Sequence, residues 1–247
     1  MAPTDKPSAE EQRFELATCR AGWDGFRYWL STYCTILDQF GGPIKFEVWP
    51  CHLEVVDALE RELLVVILKA RQIGMSWLLG AAYPVWLSIF HQHKLSMMFS
   101  WRDDEAAELI TKCRFVVRHL PFWMQPPLTK DNQFTLEFGT RSRILAMPST
   151  PAAGSSYSAS YVLSDEHAKQ EHGREQYNSI RPTIDAGGTF VSLSTAYGTD
   201  NIHFDLCDGA EGGANGFAPL FFPYSSRPGR EGDWYDRKKA TYPDQAR

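Results

Sequence analysis

The densest concentration of reactive residue types lies in "KARQIGMS", Lys69–Ser76. A phosphate-binding loop usually reads G-x-x-x-x-G-K-[ST]. Here Gly74 and Ser76 hold the second Gly and the hydroxyl, Met75 stands where the lysine would be, and Lys69 stands where the first Gly would be. Backbone N–H groups in such a loop cradle phosphate without help from side chains. The Ser76 hydroxyl can reach Mg2+, and Lys69 or Arg71 can supply the missing cation from within the loop. Taken alone, the stretch is equally a plain glycine-containing turn between a strand and a helix.

Two further polar clusters follow downstream. "YVLSDEHA" is an apolar run closed by Asp165–Glu166. A carboxylate there can hold Mg2+, usually through water because that ion keeps part of its hydration shell. A second carboxylate can polarise an attacking water. An Asp-Glu pair is also a common solvated strand end, and only its place downstream of the loop favours chemistry. "VSLSTAYG" ends another apolar run in Ser194, Thr195 and Gly198. Hydroxyls at that point can bond a terminal phosphate or its water.

Other chemistries fit less well. His167 and His172 in "DEHAKQEH" are five apart, not the four that puts two metal ligands on one helical face, and no H-E-x-x-H occurs. "SSYSAS" lacks the G-x-S-x-G elbow of a serine hydrolase.

These clusters need elements to carry them. Leu63 to Leu68 is a continuous apolar run, as in a strand buried on both faces. Met75 to Phe90 then reads as a helix disturbed at Pro84. Lys94–Ser100, Tyr161–Ser164, Phe190–Ser194 and Pro219–Tyr224 read as further strands. Between them "DDEAAELITKCRFVVRHL" reads as a helix capped by Asp103 or Asp104, with an apolar stripe at Ala106, Leu109, Cys113, Val116 and Leu120. "QFTLEFGTRSRILAMP" reads as a hairpin turning at Gly139–Ser142. Upstream, Trp23 to Phe40 has helical spacing up to the stop at "GGP", and "HLEVVDALERE" predicts a second helix with Leu53, Val56 and Leu59 or Glu60 defining its faces. Strands alternating with helices predict an α/β domain with a mainly parallel sheet, whose ligands sit at the carboxyl ends of the strands.

Length and composition agree with this. The chain has 247 residues, 43% hydrophobic and 22% charged, enough for one large domain with a full core. Its 5 cysteines show no C-x-x-C spacing and read as reduced thiols. The polar start, residues 1–20, reads as a mobile tail. A net charge of −5 argues against a free-standing DNA-coating protein but not against a local basic face.

With these motifs in order, the sequence resembles the ATPase domain of the large terminase subunit of tailed bacteriophages. The resemblance runs through "GGPIKFEVWPCHLEVVDAL", "ILKARQIGMSW", "MMFSWRDDEAAELI", "GTRSRILAMPST", "SYVLSDEHA", "RPTIDAGGTFVSLSTAYG" and "PYSSRPGREGDWYDRKKATYPDQAR". The K-x-R-Q-x-G-x-S loop is more specific to that family than a general phosphate-loop motif. The resemblance implies an ASCE-type P-loop NTPase, a three-layer sandwich with a mainly parallel central sheet and an added hairpin, over residues 21–225. Residues 226–247 would form a linker or lid leading to a nuclease domain, and nuclease activity is not expected of this segment.

By the same resemblance, ATP would be held by Lys69, Ala70, Arg71, Gln72, Ile73, Gly74, Met75, Ser76 and Trp77, with Trp49, Pro50 and His52 near the adenine. Lys69 would take the phosphate role with Arg71 assisting. Ser76 and Asp165 would hold Mg2+, Glu166 would be the catalytic carboxylate, and Ser194, Thr195 and Gly198 the coupling segment. His52 stands where the family usually has a Gln, which bears on base selectivity. Ala153 stands where many members have an Arg, so another arginine must serve as finger; Arg141, Arg143 and Arg181 are the candidates. The implied partners are duplex DNA without sequence preference, further copies in a homo-oligomeric, pentameric ring, the portal and procapsid, and a small terminase subunit, with no membrane. The implied place is the cytoplasm of the infected bacterial host, docked transiently on the procapsid. Other readings are a nucleotide-binding assembly module with little turnover alone, or another DNA-dependent ATPase or helicase.

Overall fold

The computed structural model describes residues 7–38, 40–154 and 157–241. The chain opens with helices α1 (Ala9–Arg20) and α2 (Gly22–Thr32), a small hairpin of β1 (Thr35–Leu37) and β2 (Pro43–Lys45), and helix α3 (Pro50–Arg61). Strand β3 (Leu64–Lys69) leads into the helical rod of α4 (Met75–Trp77), a π-helical turn at Leu78–Ala82 and α5 (Tyr83–Phe90). Then come β4 (Leu95–Ser100), α6 (Asp103–Arg118), β5 (Leu128–Asn132), β6 (Thr135–Phe138) and β7 (Arg143–Pro148). The last part holds β8 (Tyr161–Asp165), α7 (Gly173–Asp185), β9 (Thr189–Ser194), α8 (Ile202–Glu211), β10 (Ala218–Phe222) and α9 (Trp234–Thr241).

Eight strands form one sheet in the order β10-β3-β9-β8-β4-β7-β6-β5. From β10 to β7 all neighbours are parallel, and β6 and β5 continue antiparallel as the added hairpin. The alternation of side chains across the pleat divides the core in two. Val65, Ile67, Met98, Leu163, Val191 and Leu193 face the layer of α2, α3, α5 and α6. Val66, Met97, Phe99, Val162 and Phe190 face Tyr177, Ile180 and Ile184 of α7 and Ile202 and Leu206 of α8. Helices thus cover both faces of a mostly parallel sheet.

Four expectations need correction. Residues 9–20 are not a tail but helix α1, begun by a capping box between Ser8 and Glu11. It is docked: Glu15 accepts from the hydroxyls of Tyr28 and Tyr33, and the Trp86 indole donates to the Cys19 carbonyl at 2.8 Å. The helix begun near Trp23 does not reach Phe40. It stops at Thr32, because β-branched Thr35 and Ile36 pair with Lys45 and Ile44 across a turn in which Gly41 takes φ +88. In α3, Leu53 is exposed and the buried stripe is Cys51, His52, Val55, Val56 and Leu59. Helix α6 is not side-chain capped, since Arg102 is its N-cap; Asp103, Asp104 and Glu105 instead fill its first turn, where acids complement the helix dipole.

Pro84 has the disturbing effect expected of it, one turn upstream. Lacking an N–H, it cannot bond the carbonyl of Gly80, and the rod widens to a π turn at Leu78–Ala82. The carbonyls this releases find side chains: Gly80 accepts from the Cys113 thiol at 3.2 Å and Leu79 from the Tyr161 hydroxyl at 3.0 Å. The rod that begins behind the loop is therefore pinned to α6 and β8. Among the described residues, no helix is long and apolar enough to cross a membrane.

Candidate active site

Three neighbouring strands, β3, β9 and β8, end at the same edge and deliver the three polar clusters to one place. Lys69 closes β3 and is buried. The Ala70 N–H donates to the Phe222 carbonyl of β10 at 2.8 Å, fixing the point where the loop departs. Within the loop Gln72 and Gly74 take φ +62 and +77. Left-handed residues at alternate positions of a loop are a feature of anion nests, in which successive N–H groups turn toward one concave side.

Lys69 Nζ lies 3.0 Å from Glu166 Oε1. Lys169 Nζ lies 2.8 Å from Glu166 Oε2, and the Thr195 hydroxyl donates to the same oxygen at 3.1 Å. Burial alone would raise the Glu166 carboxyl, but the two ammonium groups override it and hold it at about 2. Glu166 itself has φ +49, an uncommon backbone state for a non-glycine residue. The turn that follows is braced: the Ala168 N–H donates to Ser194 Oγ at 3.2 Å, and the Gln170 amide donates to the Asp165 carbonyl at 2.9 Å.

Ser76 Oγ lies 3.4 Å from Asp165 Oδ1. Burial pushes the Asp165 carboxyl up, with Lys69 opposing. A buried carboxylate raised in this way gains from a nearby hard cation, and a hydroxyl with a carboxylate is the oxygen donor set Mg2+ takes when phosphates and waters complete its shell. Among the described residues no group of three or more His, Cys, Asp or Glu could cage a metal, so these two donors would share the ion with a ligand.

Beside the loop lies a pocket lined by Ile36, Phe46, Trp49, Trp77, Gln72 and Arg227. His52 lies at its base with both ring nitrogens in use. Its Nδ1 accepts from the Trp49 N–H at 3.1 Å, and its Nε2 is 2.8 Å from the Ile73 carbonyl. That pattern fixes the Nε2–H tautomer, and burial lowers the ring's pKa and keeps it neutral. His52 is a strut between α3 and the loop, and no side-chain nitrogen is left to read a base. Pro50 starts α3 beside it.

The sequence-derived residues divide clearly. Lys69, Gln72, Gly74, Ser76, Trp77, Trp49, Asp165, Glu166, Ser194 and Thr195 come together around the loop. Gly198 lies further out, its carbonyl accepting from Asn201. The three finger candidates are elsewhere in the chain. Arg143 begins β7 opposite Leu95, at the other end of the sheet, and Arg141 precedes it in the hairpin turn. Arg181 is held on α7 by Asp185 and the Tyr177 hydroxyl.

Three contributors went unread. Lys169 could have been found, because it follows Glu166 by three residues. Arg227 and Arg230 could not. Arg227 donates to the Gln72 carbonyl at 3.0 Å, and Arg230 donates to the Arg71 carbonyl at 3.0 Å and to Gln72 Oε1 at 2.8 Å, across more than 150 residues of sequence.

No protein-family model matches the sequence. Solved structures do. The ATPase domain of the Thermus phage P74-26 large terminase matches with a TM-score of 0.62 at 14% identity, over 81% of this chain and 90% of that one. The large terminase of bacteriophage HK97 matches with a TM-score of 0.66 at 14% identity, over 90% of this chain and 48% of that one. The large terminase of a thermophilic bacteriophage, in complex with ATP-gamma-S, matches with a TM-score of 0.61 at 10% identity, over 79% of this chain and 50% of that one. The chain thus spans about half the length of the last two proteins. With so few identical residues the likeness rests on the backbone, and it shows that this chain has the fold of the large terminase ATPase domains, an α/β P-loop NTPase fold.

Proposed function

We propose that this chain is the ATP-hydrolysing motor of a viral DNA-packaging machine, working with Mg2+ to drive duplex DNA into a procapsid. The observation that carries the proposal is the meeting of Lys69, Ser76, Asp165, Glu166 and Thr195 at the carboxyl ends of three adjacent strands of this fold. The phosphates of ATP lie in the Gln72–Gly74 nest. Lys69, at the base of the loop, supplies the cation that Met75 does not. Ser76 and Asp165 hold Mg2+, which when bound neutralises charge on the phosphate oxygens. Glu166, held ionised, is the group able to orient and polarise water. Thr195, the first residue after β9, touches the same carboxylate, so the segment after β9 is the coupling element. By the same reading the chain works as a homo-oligomeric ring, pentameric when assembled, in the host cytoplasm, docked on the portal of the procapsid and served by a small terminase subunit. DNA contact is salt-sensitive and without sequence preference.

The test is ATP binding and hydrolysis by wild type beside Lys69→Ala and Glu166→Gln. Lys69→Ala abolishes binding, and Glu166→Gln binds without turnover. Wild-type behaviour in both variants overturns the site.

One observation favours a second reading, a nucleotide-binding module with little turnover alone. Both oxygens of Glu166 are engaged, one by Lys69 and the other by Lys169 and Thr195. Hydrolysis requires one to be released. If neighbours in a ring release it, specific activity rises with protein concentration. A flat, near-zero activity at all concentrations marks a binder only.

A further inference from the structure

Most arginines whose contacts are resolved here face acids. Arg27 meets Asp24, Asp57 and Glu60; Arg114 meets Asp131; Arg174 meets Asp205; Arg181 meets Asp185. Arg227 and Arg230 differ. Among the described residues neither has a carboxylate within ion-pair distance, and every hydrogen bond their guanidinium groups donate goes to a neutral oxygen of the loop: the carbonyls of Arg71 and Gln72 and the Gln72 side-chain amide. Both are half-buried. Each also lies by an aromatic ring, Arg227 at 5.9 Å from Trp49 and Arg230 at 5.0 Å from Trp234. The segment carrying them is anchored, with Trp234 and Tyr235 stacked on Tyr224 and the Cys51 thiol against the Ser226 carbonyl.

Two neighbouring guanidinium groups without counter-charge, partly withdrawn from water, are unfavourable unless an anion joins them. Burial and Arg227 together lower the pKa of Arg230, which has the same physical origin. Their forks also fix two successive loop carbonyls, those of Arg71 and Gln72. A carbonyl fixed outward leaves its peptide's N–H facing the opposite way, because the peptide is planar and trans.

We propose that Arg227 and Arg230, supplied by the segment after β10, complete the phosphate loop: they hold its carbonyls outward, so that its N–H groups face the polyphosphate, and add positive charge on the loop's outer side to that of Lys69. They are positioning residues, acting through Arg71 and Gln72. The inference rests on the nucleotide site proposed above. It also makes the segment around residues 224–235 sensitive to the number of phosphates in the site, since each added phosphate strengthens the field these two cations sit in.

The experiment measures equilibrium binding of ATP-gamma-S, ADP and AMP to the 247-residue protein and to Arg227→Ala, Arg230→Ala, Arg230→Gln and Lys69→Ala, with a thermal melt of each without nucleotide. Charge-assisted bonds of this kind correspond to about 10- to 100-fold in affinity. Arg230→Ala is expected to weaken ATP-gamma-S by at least about tenfold, ADP by less, and AMP hardly at all, with the melting temperature little changed. Arg230→Gln keeps hydrogen-bond donors without charge and falls between. If the arginine variants bind all three nucleotides like wild type while Lys69→Ala does not bind, the site stands and this inference fails. An equal loss for all three nucleotides, with a lowered melting temperature, marks a structural latch and also overturns it. If wild type itself binds none of them, the nucleotide site falls and the inference falls with it.

Discussion

Lys69 and Glu166, 97 residues apart in sequence, form a 3.0 Å ion pair in which the lysine is buried. The pair joins the end of β3 to the end of β8 across β9, and it ties together the two charges on which the proposed hydrolysis turns. Glu166→Gln removes the negative member. Turnover is expected to fall by about 100- to 10,000-fold, the usual contribution of general base catalysis, while ATP binding holds or tightens because Lys69 is set free. Paired binding and hydrolysis assays check this; a variant with wild-type turnover removes Glu166 from the reaction.

The same pair has an acid limit. Glu166 is held at about 2 against an ordinary value of 4.5. A carboxyl depressed on folding stabilises the fold fully above the unfolded value, and that contribution is lost as pH falls from 4.5 toward 2. Urea midpoints measured across that window are expected to fall less steeply in Glu166→Gln than in wild type. Equal slopes would mean that the ion pair contributes nothing to the fold.

A second acid response lies beneath the site. Ser192 Oγ is 2.7 Å from Nδ1 of both His167 and His203. Burial lowers His167 to about 3, with His203 adding to the effect, and lowers His203 to about 4. Unfolded histidines take up protons near 6.5 while these two stay neutral. The unfolded state therefore binds more protons as pH falls below 6.5, and stability declines from there toward 4. Replacing both by Asn is expected to flatten the slope of stability between about pH 6.5 and 4, whatever it does to stability under mildly alkaline conditions.

His52 makes a sharper case. Its ring satisfies the Trp49 N–H and the Ile73 carbonyl, so His52→Ala leaves two groups unpaired at a cost of about 1–3 kcal/mol each. The variant is expected to melt earlier and to bind nucleotide less well. The ratio of ATP to GTP affinity is expected to stay within about twofold, a difference of less than about 0.5 kcal/mol, since the ring offers the base nothing. A large change in that ratio would restore His52 as a reader of the base.

Tyr161→Phe tests the π turn. Without its hydroxyl the Leu79 carbonyl loses its side-chain partner in a fully buried place, and a loss of about 1–3 kcal/mol is expected in urea unfolding. A neutral substitution would show that the helical rod behind the loop does not depend on this tie.

Much of this architecture is readable from the residues. Val65, Val66 and Ile67 are all buried, so β3 appears in the sequence as an unbroken apolar run. The β6–β7 hairpin shows itself by alternation, with Leu136 opposite Ile144. The losses have physical reasons. Strand β5 is "LTKDN", mostly exposed at the sheet edge, and carries no hydrophobic pattern. In β1, Thr35–Leu37 continues an aromatic and aliphatic run that began in α2, so the two periods merge until Gly41. At the site, the strand-end clusters were visible because each is local. The function of His52 was hidden, because residue type alone does not say whether a ring faces a ligand or a backbone. Arg227 and Arg230 were hidden by distance: nothing near Gln72 announces a partner at Arg230.

Strand β10 sits at the sheet edge, pairs with β3, and accepts through Phe222 the N–H of Ala70. The strand on the other side of β3, β9, also lies far downstream of it. During synthesis, then, the loop emerges from the ribosome long before either strand that flanks its own. A nascent chain that has exposed only its first half carries the phosphate-loop residues without a sheet to set them in. Such late closure of non-local strands is slow. The cluster at these strand ends is among the last parts of the molecule to become whole, and an unfinished chain cannot yet bring Lys69 and Glu166 together.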